Sequence, residues 1–236
     1  MAQYIRLSFF YFDSPRQKWW AFKQMRLAHK SLRRQKGLSF YKLMGSGAGE
    51  GFSTKPDWRV YCLLQVWDAK ASATEFESSP WYQELLSRQK GIYHFELSPY
   101  QSKGTWNGLN PFELQPEQDF QYMAVLTRAS IKLSYLRAFW RSVPAVSRII
   151  KDQRSLLFQK GIGEWPLIEQ ATFSIWNREE AMRDFAYQQK EHRAVVQKTR
   201  KLNWYREEQF SRFGLLKHYG HWPDQTFSNL KKEQTE

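Results

Sequence analysis

Apolar residues come in short runs whose spacing switches repeatedly between that of a strand and that of a helix. Residues 4–12 form an apolar, aromatic run that predicts a strand. At 19–35, Phe22, Met25, His29 and Leu32 recur at helical spacing, and Gly37 predicts the stop. A short strand at 38–44 leads into the glycine-rich run Gly45-Ser-Gly-Ala-Gly-Glu-Gly51. A β-rich run at 60–67, a helix at 74–90 and a strand at 93–100 follow, giving the order βαββαβ.

The order then repeats. Strands are predicted at 120–128, 155–161, 169–176 and 207–214, with helices at 133–150, carrying Pro144, and at 178–203. Local text repeats with it. Gly37-Leu-Ser-Phe-Tyr-Lys…Gly-Glu-Gly echoes Leu156-Leu-Phe-Gln-Lys-Gly-Ile-Gly-Glu, and Val66-Trp67-Asp68 echoes Ile175-Trp176-Asn177. The fold class is therefore α+β: two ferredoxin-like halves, each a sheet with helices on one face. The bare faces need burial against each other, which predicts, within one chain, the α/β barrel that smaller proteins build by dimerising. The expected division is 1–102 for the first half, 103–118 for a connector, 119–216 for the second half and 217–236 for a polar tail.

Composition narrows the class. The 236 residues carry 36 Lys+Arg against 23 Asp+Glu, a net charge of +13, and 42% are hydrophobic, so a disordered chain does not fit. Cys62 is the single cysteine, which excludes a disulfide scaffold. No run approaches ~18 apolar residues, and the first residues lack a secretory signal's basic start and cleavage site. The expected location is the cytoplasm, with attachment to the inner face of a membrane left open. Charge is clustered: between Ser14 and Lys36 stand eight basic residues and no acidic one, interleaved with Trp19, Trp20 and Phe22. Such a helix suits an anionic membrane surface; single-stranded nucleic acid and a merely solvated face are the competing readings. Aromatic content is high, at 17%; these side chains fill cores, and they also line pockets for flat or long apolar ligands.

Histidines come next. His192 lies on the row Met182, Phe185, Gln189, His192, Val196, Thr199, one inward helix face, where an imidazole needs a hydrogen-bond partner or a metal. His29 has the same standing on its own helix. His218 and His221, in the polar tail, are expected to be exposed. The glycine run lacks the spacing and the Lys-Ser/Thr ending of a phosphate loop and reads as a hairpin connection. Cys62 alternates within an apolar strand and reads as a buried thiol. Flavin and nicotinamide fingerprints are absent from the text.

Several blocks in one order carry a resemblance: Trp20-Ala-Phe-Lys-Gln-Met25, Lys42-Leu-Met-Gly-Ser-Gly-Ala-Gly-Glu-Gly-Phe52, Thr127-Arg-Ala-Ser, Phe139-Trp-Arg-Ser-Val-Pro-Ala-Val-Ser147, Gly161-Ile-Gly-Glu164, and Gln170-Ala-Thr-Phe-Ser-Ile-Trp176 through His192 to Trp204-Tyr-Arg-Glu-Glu208. Over most of its length the chain resembles the spheroidene monooxygenase family of carotenoid biosynthesis and, more distantly, haem-binding members of the dimeric α/β barrel superfamily. The resemblance implies a haem b-dependent oxygenase that hydroxylates or ketolates a carotenoid. It implies His192 as the axial iron ligand, with Phe185, Gln189 and Val196 beside the cofactor. Arg206 and Arg128, near predicted strand ends, are candidates for pairing haem propionates or polarising bound oxygen. Trp20, Gln24, Phe139 and Trp140 are candidates for an apolar polyene channel. The implied partners are a polyene substrate and an electron donor of unidentified kind, with no nucleic acid; membrane contact and pairing into a homodimer stay open. Two alternatives remain: another haem enzyme of the superfamily (dehydratase, peroxidase or haem-degrading), and a non-enzymatic basic binding module.

Overall fold

The structure is a computed structural model, which describes residues 3–49, 53–151, 155–177 and 202–232. The first half runs β1 (Tyr4–Tyr11), α1 (Pro15–Leu27), α2 (His29–Leu32), β2 (Leu38–Gly47), β3 (Pro56–Trp67), α3 (Lys70–Glu77), α4 (Pro80–Arg88) and β4 (Gly91–Gly104). The second runs β5 (Met123–Ile131), α5 (Leu136–Lys151), β6 (Leu156–Trp165), β7 (Glu169–Trp176) and β8 (Tyr205–His221), then a short α6 (Ser228–Lys232). The eight strands close into one barrel in the order β1-β3-β2-β6-β7-β5-β8-β4. Each half thus contributes a sheet with the same internal order. Two seams join them, a long one between β4 and β8 and a short one at Gly45↔Gly163 and Ser46↔Ile162. The repeated text therefore marks the two equivalent strands, β2 and β6, that meet at the short seam.

The barrel interior is the main core. Leu7, Met44, Leu64, Phe95, Leu126, Phe158, Phe173 and Phe213, one from each strand, point into it. Residues of β1 alternate: Ile5, Leu7 and Phe9 face the interior, while Phe10 packs outward under the helices. A strand buried on both faces reads as a nearly continuous apolar run, which is why residues 4–12 show no strict alternation.

Several expectations are corrected. The helix predicted at 19–35 begins four residues earlier, because Ser14 caps Pro15 and Gln17 returns the bond to the Ser14 amide; it is divided into α1 and α2 at Ala28. The helix predicted at 74–90 is two helices. Ser79 accepts from the Tyr82 amide and Pro80 takes the first helical position, so the chain restarts there. The polar tail is no tail: β8 continues to His221, and Phe227 and Leu230 are buried in the barrel mouth. Phe227 stacks on Tyr93 with ring centroids 4.0 Å apart. His218, expected at the surface, is buried, bonds the Tyr93 hydroxyl at 2.8 Å and has its pKa lowered by burial.

The connector starts later than predicted, after Gly104. That residue sits at φ +90°, where an added Cβ would lie 2.1 Å from the Glu208 carbonyl oxygen. The connector is also not simply polar. Trp106 is fully buried and donates its indole N–H to Glu164 at 2.7 Å. The glycine run is not all hairpin either, since β2 extends through Gly47 to pair Ser46 with Asp57.

Candidate functional site

β5 is the central strand of the second sheet, hydrogen-bonded to β7 on one side and β8 on the other. Its residues alternate between two environments. Ala124, Leu126, Arg128 and Ser130 are buried on the interior side; Met123, Val125, Thr127, Ala129 and Ile131 lie on the outer side. Register sets two rows across that outer face. One is Gly161–Thr172–Thr127–Phe210, the other Gln159–Ser174–Val125–Arg212. Thr127, in the middle of the first row, is exposed, and Thr172 is half-buried.

The second row is closed: Val125, Ser174 and Arg212 are buried, and Trp176 donates its indole N–H to Ser174 at 2.9 Å. Apolar clusters flank the open row. Met123, Val125 and Trp176, with Phe210 against them, lie at one end, and Ile131, Phe139 and Trp204 at the other. The result is a floor of small side chains between aromatic walls. The segment joining β7 to β8 holds His192, Phe185, Gln189 and Val196, all of which lie outside the described residues.

Arg128 is on the other side of the same strand. Its guanidinium is clasped by Glu169 and Glu207 and lies 5.6 Å from the Trp106 ring, while its Nε has no partner. Glu207 also accepts from the Gly108 amide at 2.7 Å, the Thr105 hydroxyl at 2.9 Å and the Asn107 amide at 3.1 Å. Burial pushes its carboxyl pKa up, but the Gly108 and Thr105 bonds and Arg128 outweigh it and bring the value down to about 2. Lys42 completes this interior network through Glu164, at 2.7 Å. Arg206 is exposed and stands 3.6 Å from Glu169.

The four channel candidates fall into two places. Trp20 packs on Phe12 between α1 and α4 and donates to Glu84 at 3.1 Å, and Gln24 accepts from Trp81 at 2.9 Å. Phe139 and Trp140 belong to the second half, where Phe139 packs with Trp204 and Ile131, and Trp140 donates to the Leu167 carbonyl at 3.1 Å. The two pairs share no cluster among the described residues.

His29 is half-buried, bonded at 3.0 Å to the Tyr41 hydroxyl, with its pKa lowered by burial and by Arg33. His94, which the pattern did not single out, is buried, bonds Ser8 at 2.7 Å and is pushed down to about 3 by burial and by Arg6. Cys62 is buried as expected, and burial raises its thiol pKa. Among the described residues no group of three or more His, Cys, Asp and Glu could hold a metal ion. Nor is any described helix long and apolar enough to cross a membrane. Thr127, Thr172 and Arg212 lie on this face and were not among the candidates read from the sequence. For Thr172 the signal was the alternation Thr172-Phe-Ser, which puts Thr172 and Ser174 on the face opposite Phe173.

No protein-family model matches the chain. A spheroidene monooxygenase of Rhodobacter capsulatus is 37% identical over 221 residues, covering 92% of this chain and 91% of that protein. A second spheroidene monooxygenase, of Cereibacter sphaeroides, is 34% identical over 223 residues, covering 93% and 69%. Among solved structures, an aldoxime dehydratase in complex with butyraldoxime superposes with a TM-score of 0.65 at 8% identity, covering 98% of this chain and 86% of that one. Another aldoxime dehydratase gives 0.58 at 10%, covering 91% and 82%. At those identities the likeness is one of fold, the dimeric α/β barrel, here closed within a single chain. The two monooxygenases are similar over nearly the whole chain, and the chain belongs to the spheroidene monooxygenase family.

Proposed function

We propose that the protein is a haem-dependent monooxygenase that hydroxylates or ketolates a carotenoid, with the cofactor on the outer face of the second sheet. The observation that carries this is Thr127, an exposed residue at the centre of a sheet whose counterpart in the first half is sealed. A flat macrocycle needs a floor without bulky side chains, apolar walls and a cation for its carboxylates. Gly161, Thr172 and Thr127 supply such a floor, Phe210 and Trp176 one wall, and Ile131, Phe139 and Trp204 another. The residues therefore fit haem b. His192 would hold the iron, with Phe185, Gln189 and Val196, which share its spacing in the sequence, beside the cofactor.

Haem, when bound, supplies the iron at which dioxygen is activated for transfer into a carbon–hydrogen bond, with electrons from a donor protein or small reductant. The chain's own residues do the rest. Arg206, exposed at the start of β8, would pair a propionate. Arg128, held by two carboxylates, keeps β5 in register from the interior and acts as a positioning residue. Phe139 and Trp140 line the polyene's path and exclude water from it, while Trp20 and Gln24 brace the first half.

An absorption spectrum of the purified protein supplied with haem tests the cofactor. A haem band is expected, shifted or lost in His192→Ala; no band in the parent would overturn the reading. Expression in a host that makes acyclic carotenoids tests the reaction, with labelled oxygen expected in the pigment. Haem-loaded protein with unchanged pigments would sink carotenoid oxygenation.

A further inference from the structure

Helix α1 wears part of its apolar surface outward. Trp20 and Ala21 are buried against the barrel, yet Trp19 is 60% exposed, Phe22 43% and Leu27 58%. A fourth residue joins from the start of β3, Trp58, 52% exposed. Three of these rings touch: Trp19 and Phe22 stack with centroids 5.7 Å apart, and Phe22 meets Trp58 edge-on at 5.4 Å. Two elements remote in sequence thus build one continuous aromatic ridge in water. Its surroundings are cationic. Arg16, Lys23, Arg26, Lys30, Arg33, Arg34 and Lys36 are all exposed, Lys55 is exposed near Trp58, Arg59 beside it is paired with Asp57, and no acidic residue occurs between Ser14 and Lys36. Among the described residues, none of the eight cations of that stretch makes an ion pair.

We propose that this ridge is a docking surface for an anionic lipid bilayer, with Trp19, Phe22 and Trp58 inserted at headgroup depth and the surrounding cations on lipid phosphates. Aromatic rings partition to the membrane interface, and lysine and arginine beside them gain from the negative surface potential. Charge complementarity selects an anionic partner, and ring geometry selects the lipid. A nucleic acid needs separate, open ring faces on which successive bases stack. Here one face of Trp19 is taken by Phe22, Lys23 lies over its ring at 5.9 Å, and the three rings form a wedge rather than a row. The surface stands on its own chemistry, so it holds or fails separately from the oxygenation reading. If both hold, the enzyme meets its polyene where polyenes dissolve.

The test is co-sedimentation of the full chain with vesicles of phosphatidylcholine alone and of an equimolar phosphatidylcholine–phosphatidylglycerol mixture, at low and high salt. Binding to the anionic vesicles is expected to be at least about tenfold tighter than to the neutral ones and to weaken with salt. The triple variant Trp19→Ser, Phe22→Ser, Trp58→Ser should lose roughly tenfold of that affinity. It should also lose the quenching of tryptophan fluorescence by brominated lipid. Lys23→Glu with Arg26→Glu should lose the salt-sensitive part. All these positions are exposed, and an unchanged circular dichroism spectrum checks the fold; Trp58→Ser alone serves should the triple variant misfold. Equal binding to both vesicles, or anionic binding and quenching unaltered in the aromatic variant, would overturn the proposal. So would a single-stranded oligonucleotide or a polyglutamate chain that binds more tightly than the vesicles and ignores the aromatic substitutions.

Discussion

The outer faces of the two sheets have the same strand order and opposite fates. On β1, the central strand of the first, Arg6, Ser8 and Phe10 are all sealed, at no more than 2% exposure. Trp67, Phe76, Tyr82 and Leu85 pack over them in a single cluster with Phe12 and Trp20. The face's two polar residues on β1 are held there: Arg6 by Glu77 and Gln65, and Ser8 by His94. On β5, the central strand of the second, Thr127 is exposed between two separate apolar clusters. The duplicated sheets thus differ: one outer face is sealed by a single apolar cluster, and the other carries an exposed threonine at its centre. A fold does not imply a function, and this asymmetry is why the proposed cofactor site is put on the second sheet.

Three measurements press on that contrast. The largest effect belongs to the sealed face. Trp67 is fully buried against Phe76, at 5.3 Å. Trp67→Ala should cost about 3–5 kcal/mol in denaturant unfolding, by lost burial and the cavity left behind. A cost below ~1 kcal/mol would mean the first face is as loosely covered as the second.

Acid should then separate the halves. His94, at about 3 when folded against its ordinary 6.5, is neutral in the native protein. Its depressed pKa means that protons bind the unfolded chain first. Its contribution is complete above pH 6.5 and falls by about 1.4 kcal/mol per pH unit as acid is added, until pH approaches 3. Glu207, at about 2 against 4.5, contributes fully above pH 4.5 and loses its share only as pH falls towards 2. That share is roughly 2–3 kcal/mol. Stability measured against pH should lose its upper slope in His94→Gln and its lower slope in Glu207→Gln. A single slope abolished by either variant would show the two halves unfolding through one shared group.

The smallest change in stability and the sharpest in function belong to the open face. Thr127→Trp fills the floor without displacing a buried neighbour, so unfolding should move by no more than ~0.5 kcal/mol. Haem uptake, followed by titration of the absorption band, should weaken at least about tenfold, since a bulky side chain would stand where the macrocycle lies. Undiminished uptake would move the cofactor off this face.

Much of this architecture was legible in the text. The strand order of both halves and the closed barrel follow from apolar periodicity, because an alternating strand reports its own buried face whatever lies opposite. The Trp67 and Trp176 echoes mark equivalent strand ends, and the β2 and β6 echoes mark strands that meet at a seam. The helix starts at Ser14-Pro15 and Ser79-Pro80 carry capping signals that the periodicity alone passed over. Other features were decided only by tertiary contact. Arg128 reads as a candidate site residue until register brings Glu169 and Glu207, 41 and 79 residues away, onto its guanidinium. His218 and Phe227 read as a polar tail until β8 pairs with β4 as far as His221 and the chain beyond it folds back into the barrel mouth. Trp19, Phe22 and Trp58 become one ridge only because a helix and a strand converge. Thr127 looks like any alternating strand residue, and its exposure is set by which segments pack over its sheet. Periodicity in a sequence records which way a side chain points, whereas its partner, its charge environment and the empty space before it are set by segments far along the chain.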